Sequence, residues 1–322
     1  MITKVGGVRV GHFTDLVGIT GCTVLLCDMP MVGGVDVRGA NPGTLNTDLL
    51  RPSSSMPEIF GLAIVGGSNF GLGAVSGVVS YLEDKGKGLD VGVIKLPIVS
   101  AAVIFDLAIG NPKARPTPEN GYQACVDSTD GEFLRGSVGA GIGATVGKLL
   151  GMNYCTKGGI GTHSIQIRDG IIVGALVVVN AFGDVIDPAN NSILCGARDP
   201  SGNGFIGSLE QMKKGQKAKS VFRFTNTTIG IVATNAQINK EEANRIASLA
   251  HNGLAKVISP VHTSVDGDTI FAIGRRNNGM RASVDLLGSV AAEVIANAVI
   301  DAVMMAKEIG GIPSSSELLQ RM

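Results

Sequence analysis

The chain has 322 residues, no tryptophan, only three tyrosines and only four histidines. Lysine plus arginine and aspartate plus glutamate balance at 27 each. A chain with no net field and no run mixing basic and aromatic residues lacks the footprint of a nucleic-acid binder, and nothing favours an anionic membrane surface. The five cysteines (Cys22, Cys27, Cys125, Cys155, Cys195) are odd in number and form no CxxC pair, so they read as buried thiols of a reducing compartment. Met1-Ile2-Thr3-Lys4-Val5-Gly6-Gly7 has no apolar core of a signal peptide. The apolar stretches are broken by Gly, Asp or Lys before membrane length. A soluble, cytoplasmic protein without a membrane partner is expected. His12, His163, His251 and His262 show no metal-ligand spacing, and His262 is expected to brace the loop before Asp266 rather than bind zinc.

What the chain has in excess is glycine. The count of 46 is roughly twice the usual share, which points to tight turns and close backbone approach. Strands are predicted at 4–11, 20–27, 61–66, 91–96, 161–167, 171–180 and 270–273, with Arg168-Asp169-Gly170 as a hairpin turn. Helices are predicted to about Leu82, over Gly136–Leu150, from the Asn239 cap to about Lys256, and over Ser283–Glu308. Residues 187–220 read as a polar, basic excursion. Strands and helices mix without strict alternation, so α+β or layered α/β is favoured over a doubly wound sheet. No internal repeat or domain linker is visible, and 1–322 reads as a single domain.

The stretch from Asn226 to Asn235 is the chemical focus. β-branched residues dominate it, as in any buried strand. It also sets Thr227 directly after Asn226 at the head of that strand. A threonine hydroxyl needs an adjacent base, and its own α-amine can be that base once the preceding peptide bond is cut. Such an amine titrates at roughly 7.7 to 8.0, so much of it is a free base near neutral pH.

Other segments supply candidates. In Val265-Asp266-Gly267-Asp268-Thr269, residues two apart in extended backbone share a side, so Asp266 and Asp268 could present paired carboxylates. The same pattern is also that of an Asp-Gly turn with both acids in water or on a cation. Lys148, at the end of the predicted glycine-rich helix, could complement the helix dipole or serve the site. Asn180, ending an apolar strand, could stabilise an oxyanion or form a turn. Gly139-Ala140-Gly141-Ile142-Gly143 lacks the preceding strand and distant acid of a dinucleotide site, and Gly66–Gly73 lacks the Lys-Ser/Thr of a phosphate loop. No cofactor is expected.

Taken together, Val8–His12, Arg38–Thr44, Gly66–Leu72, Lys157–Thr162, Asn226–Thr228 and His262–Thr269 resemble the DmpA-type aminopeptidases. These self-processing N-terminal-nucleophile hydrolases include L-aminopeptidase/D-amidase-esterases, β-peptidyl aminopeptidases and nylon-oligomer hydrolases. The resemblance implies a four-layer α/β/β/α sandwich of the DmpA/ornithine-acetyltransferase type, assembled as a homotetramer. It implies autocleavage into an α chain, 1–226, and a β chain, 227–322. Thr227 would be the nucleophile, and Asp266 and Asp268 the acids that orient it in the nylon-hydrolase-like branch. Asn180 would stabilise the oxyanion, with Lys148 nearby. Relatives can carry a tyrosine at the position of Phe105, whose hydroxyl helps hold the substrate carbonyl. Phe105 is thus expected at the substrate without that donor, a difference of roughly 1–3 kcal/mol if its partner is left unpaired. The implied reaction is cleavage of a small peptide or amide substrate by acyl transfer. Alternatives are a β-peptidyl or D-aminopeptidase/esterase of different range, an acyltransferase acting on amines, and a non-catalytic homologue.

Overall fold

A computed structural model describes residues 1–202, 204–218 and 226–320. Its principal elements are β1 (Val8–Asp15), β2 (Thr20–Val37), β3 (Ile59–Val65), α1 (Ala74–Asp84), β4 (Val99–Val103), α2 (Pro118–Val126), β5 (Gly159–Gln166), β6 (Ile172–Asn180), β7 (Thr227–Gln237), α3 (Lys240–Val257), β8 (Thr269–Arg275) and α4 (Val284–Met304).

Two sheets share the 18-residue β2. Its first half pairs antiparallel with β1 and β3, and β3 pairs parallel with β4. Its second half pairs antiparallel with β8, which continues through parallel β7 and antiparallel β6 and β5. The crossing falls at Asp28-Met29-Pro30, where β2 is exposed and its register with β3 shifts between Leu26 and Met31. Proline has no N–H to give a ladder, so it fits such a break.

The period of two sorts side chains into layers. Leu176, Val178, Ile229, Ile231, Phe271 and Ile273 face the first sheet, in one core with Val24, Leu62 and Ile64. Ala175, Val177, Val179, Val232, Ile270 and Ala272 face α3 and α4 in a second core. Helices α1 and α2 cover the outer face of the first sheet through Val75, Val78, Leu82 and Ala124. The result is the four-layer α/β/β/α sandwich.

Local signals placed several elements well. Asn239 caps α3 in a reciprocal box, accepting from Glu242 N at 2.8 Å while its own N–H donates to Glu242 Oε2 at 2.7 Å. The β5–β6 hairpin turns through Asp169 at φ 59° and Gly170 at φ 71°. All five cysteines are free and buried.

Other expectations are corrected. Gly136–Leu150 is no helix; it holds a 3-10 turn at Gly139–Gly141 and a two-residue strand at Thr145–Val146. Gly136, Gly139 and Gly147 stand at φ 81°, 53° and 75°, a region closed to a right-handed helix, and Lys148 therefore sits on a loop. Residues 91–96 form the tip and one arm of an exposed hairpin (Leu89–Asp90 with Lys95–Leu96), and the buried strand is β4. Of the predicted 187–220 excursion, residues 203, 219 and 220 lie outside the described residues, and the rest includes strand Ile193–Cys195 and helix Ser208–Lys213. The buried Asp184 carboxylate anchors it, accepting from Ala197 N at 2.9 Å and Ser208 Oγ at 2.8 Å. Helix α4, by length and composition alone, is apolar enough to cross a membrane, contrary to the sequence reading; 67% of its most apolar window is buried within the fold.

Candidate active site

Strand directions gather the candidate residues at one end of the second sheet. β7 and β8 run parallel, so their N-terminal ends adjoin, and Asp266-Gly267-Asp268 leads into β8 beside Thr227. β6 runs antiparallel to β7, so its last residue, Asn180, lies opposite Thr227 in register. Separations of some tens of residues collapse to neighbours through topology alone.

The Asn226–Thr227 peptide is buried. The Asn226 carbonyl accepts from the Thr227 hydroxyl at 2.5 Å and from Gly267 N–H at 2.9 Å. The Asn226 amide donates to Val265 O at 3.2 Å. That carbonyl thus has a backbone donor on its oxygen and a hydroxyl at hand, the ingredients of acyl transfer.

Both aspartates point inward. Asp268 Oδ1 accepts from Thr228 N at 2.7 Å, and Oδ2 from His262 Nδ1 at 2.8 Å and His262 N at 3.2 Å. Asp266 Oδ2 accepts from Thr263 N at 2.9 Å and Thr263 Oγ1 at 2.5 Å, and Oδ1 from Phe182 N at 3.3 Å. Burial, and then the charge of Asp268, raise the Asp266 carboxyl to about 6, against the pull of its donors. His262 does brace this loop, through Asp268.

Lys148 is 2% exposed and donates Nζ–H to Asn180 Oδ1 at 2.7 Å and Asn180 O at 3.0 Å. Burial lowers its ammonium to about 7. Asn180 Oδ1 also accepts from Thr145 N at 3.0 Å, and Nδ2 donates to Phe105 O at 3.1 Å. A second buried lysine, Lys157, lies away from Thr227 and donates to Ile142 O and Ala144 O at 2.7 and 2.5 Å. It too is lowered to about 7 by burial.

A cleft of about 240 Å³ opens on Thr227. Asn41, Ser68 and Asn69 give it neutral polar groups; Pro42, Val103 and Phe105 give it apolar ones. Sequence reasoning did not assign Asn41, Ser68, Asn69, Thr263 or Gly267 to the site. The available signal was polar residues inside glycine-rich loops that follow strands. The loop of Asn41 is tied to the acid loop by Asn41 N to Asp266 O at 2.9 Å and Asn41 Nδ2 to Ser264 O at 2.6 Å. Among the described residues, no group of three His, Cys, Asp or Glu side chains suits a metal ion.

A two-sheet sandwich with a hydroxyl, an amide and paired acids at one strand end has the architecture of an N-terminal-nucleophile hydrolase. The comparisons agree. The model of peptidase family S58 matches residues 1–316, and the chain belongs to that family. An uncharacterized aminopeptidase of Mycobacterium tuberculosis is 39% identical, covering 98% of this chain and 97% of its own length. A 6-aminohexanoate-oligomer endohydrolase of Paenarthrobacter ureafaciens is 28% identical, covering 92% of this chain and 84% of its own. The solved L-aminopeptidase D-Ala-esterase/amidase of Ochrobactrum anthropi, a variant of the same hydrolase fold, superposes with a TM-score of 0.72 at 18% identity, over 99% of this chain and 93% of that one. The protein is a hydrolase of peptide or other amide bonds.

Proposed function

We propose that the chain cuts itself between Asn226 and Thr227 and that the freed Thr227 is the nucleophile of its amidase activity. The observation that carries this reading is the Asn226 carbonyl, held by Gly267 N–H with the Thr227 hydroxyl 2.5 Å from its oxygen. In maturation, Thr227 Oγ adds to the Asn226 carbonyl carbon and its proton leaves to a base. The developing oxyanion rests on Gly267 N–H. Collapse breaks the C–N bond, leaves Asn226 as an ester on Oγ and frees the α-amine. Water then hydrolyses the ester into chains 1–226 and 227–322.

In turnover, the α-amine takes the Oγ proton while Oγ attacks the substrate carbonyl in the cleft. Asn180, oriented by Lys148 and Thr145, supplies the amide donor for the tetrahedral intermediate. The amine then protonates the departing nitrogen, and water resolves the acyl-threonine. Asp268 holds the backbone immediately after the nucleophile through Thr228 N–H, and Asp266 fixes the neighbouring loop through Thr263 and Phe182 N–H. The resemblance also supports a homotetramer, and the exposed Val91, Val93, Ile94 and Leu96 offer an apolar face for association.

The test is acid quenching during turnover of L-alanine p-nitroanilide, with 6-aminohexanoate oligomers as the parallel substrate, followed by peptide mapping. The expected result is acyl mass on the peptide that begins at Thr227. Undiminished turnover by Thr227→Ala, or acyl mass on another residue, overturns the assignment.

A further inference from the structure

His262 occupies a costly position. Its backbone lies in the left-handed region at φ 54°, and its buried Nε2 has no hydrogen-bond partner among the described residues. What the residue provides is its other nitrogen. Nδ1 lies 2.8 Å from Asp268 Oδ2, and a carboxylate can only accept, so Nδ1 carries the proton. The His262 main-chain N–H donates to the same oxygen at 3.2 Å, while Asp268 Oδ1 accepts from Thr228 N–H at 2.7 Å. One carboxylate therefore links the imidazole to the amide immediately after Thr227.

The surroundings favour this use. His251 of α3 presents its ring edge-on to His262, with centroids 4.8 Å apart at 70°. His251 Nε2 is fixed to Asp36 O at 3.0 Å, with the Asp36 carboxylate at 4.0 Å and itself paired to Arg38 at 3.1 Å. Burial lowers His251 to about 4, so at neutral pH it contributes an aromatic wall and no charge. On the other side stands Asp266, held by Thr263 and Phe182 and lacking an imidazole of its own. Two neighbouring carboxylates resist ionising together; each of these accepts three hydrogen bonds, and what sets Asp268 apart is the imidazole among its donors.

We propose that His262 is a positioning residue for the nucleophile: its Nδ1–H fixes the Asp268 carboxylate against Thr228 N–H, so that Asp268 holds the backbone that carries Thr227 while Asp266 is left to Thr263 and Phe182. The inference rests on the reading of Thr227 as nucleophile. It adds a division of labour between the two acids, set from outside the pair by one imidazole.

The test compares His262→Gly with His262→Asn. Glycine accepts φ 54° without strain and removes the imidazole, whereas asparagine tolerates the same backbone and keeps a donor near the position of Nδ1. The readouts are conversion of fresh precursor into two chains and kcat and KM for L-alanine p-nitroanilide, each from pH 5 to 9. Glycine is expected to slow conversion and kcat by roughly 10- to 100-fold, the loss of one charge-assisted hydrogen bond, with KM nearly unchanged. It should also move the acid limb of the conversion profile to higher pH, because the acid pair without that donor takes up a proton more readily. Asparagine should restore the rate and the limb. If the glycine variant does not fold, the asparagine variant decides alone: a wild-type limb supports the inference, and an altered limb in a folded chain overturns it. An active wild type whose glycine variant keeps rate and profile, or whose two variants fail equally, overturns this inference and leaves Thr227 standing. A wild type that stays in one piece and hydrolyses nothing overturns both.

Discussion

Lys148 is buried, and replacing it with methionine separates what it costs the fold from what it gives the site. Methionine keeps the linear shape and removes the charge. Burial lowers the Lys148 ammonium from 10.5 to about 7. A base whose folded value lies below its unfolded one is protonated in the unfolded chain and neutral in the folded chain between those two pH values. The unfolded chain then binds more protons, and stability rises with pH across that window. From pH 7 to 9 the gain is roughly 2 kcal/mol for one such lysine. Lys157, also lowered to about 7, contributes a second share of the same sign. Above pH 9 the slope is opposed, because Cys22, Cys27, Cys125 and Cys195 are raised to about 12 by burial and retain protons that the unfolded chain loses. Urea unfolding followed by circular dichroism at pH 7, 8 and 9, in a Thr227→Ala background that keeps the chain intact, reads the effect. Lys148→Met should remove roughly 2 kcal/mol of the rise between pH 7 and 9. All other groups are common to both chains, so the difference belongs to Lys148. In the chain with Thr227, the same change should lower kcat by roughly 10- to 100-fold, since Asn180 loses the donor at 2.7 Å that orients its amide. Equal pH slopes in the two chains would refute the reasoning, because Lys148 would then stay charged in the folded state.

Three further outcomes follow from the same geometry. Gly267→Ala would set a Cβ 2.5 Å from the backbone oxygen of Asn41 and 2.9 Å from Thr227 Oγ1, so conversion to two chains should slow by about 100-fold or more, and a normal time course by mass spectrometry would count against the carbonyl's role. In wild type the rate of conversion of precursor into two chains, which precedes the free α-amine, should fall as pH drops through about 6, where the raised Asp266 carboxyl takes up a proton; Asp266→Asn should convert more slowly throughout and lack that limb, and an unchanged limb would assign it elsewhere. Phe105→Tyr adds a hydroxyl to a ring that lines the cleft beside Thr227 and should raise kcat on an anilide by roughly 10-fold, while an equal or lower kcat at unchanged KM would place the ring out of reach of the reacting carbonyl.

The elements legible in the sequence were those written locally. The capping box at Asn239 and Glu242, the apolar runs of β6 and β7, and the Arg168-Asp169-Gly170 turn depend on neighbours within a few residues. The predicted helix at 136–150 failed because alanine-glycine composition does not reveal which glycines stand at positive φ. The strand predicted at 91–96 was an exposed hairpin, since short β-branched runs look alike whether buried or not. Thr227 and the Asp266–Asp268 pair carried a chemical signal of their own. Asn180 and Lys148 did not: an asparagine ending a strand and a lysine after glycines are ordinary. Only the antiparallel register of β6 on β7 sets Asn180 opposite Thr227, and only the loop after Gly147 brings Lys148 to it. The resemblance named those residues; spacing alone would have missed them. The dependence of Asp268 on His262 has no pattern in the sequence beyond a histidine six residues upstream.

The central claim is that the Asn226–Thr227 bond is broken by the chain itself to release the nucleophile. The most direct measurement is the intact mass of purified protein under denaturing conditions, beside Thr227→Ala purified identically. The account predicts two chains in the wild type, ending at Asn226 and beginning at Thr227, and one uncut chain in the variant. A wild type that remains a single chain after prolonged incubation, or a variant cut at the same bond, would contradict it.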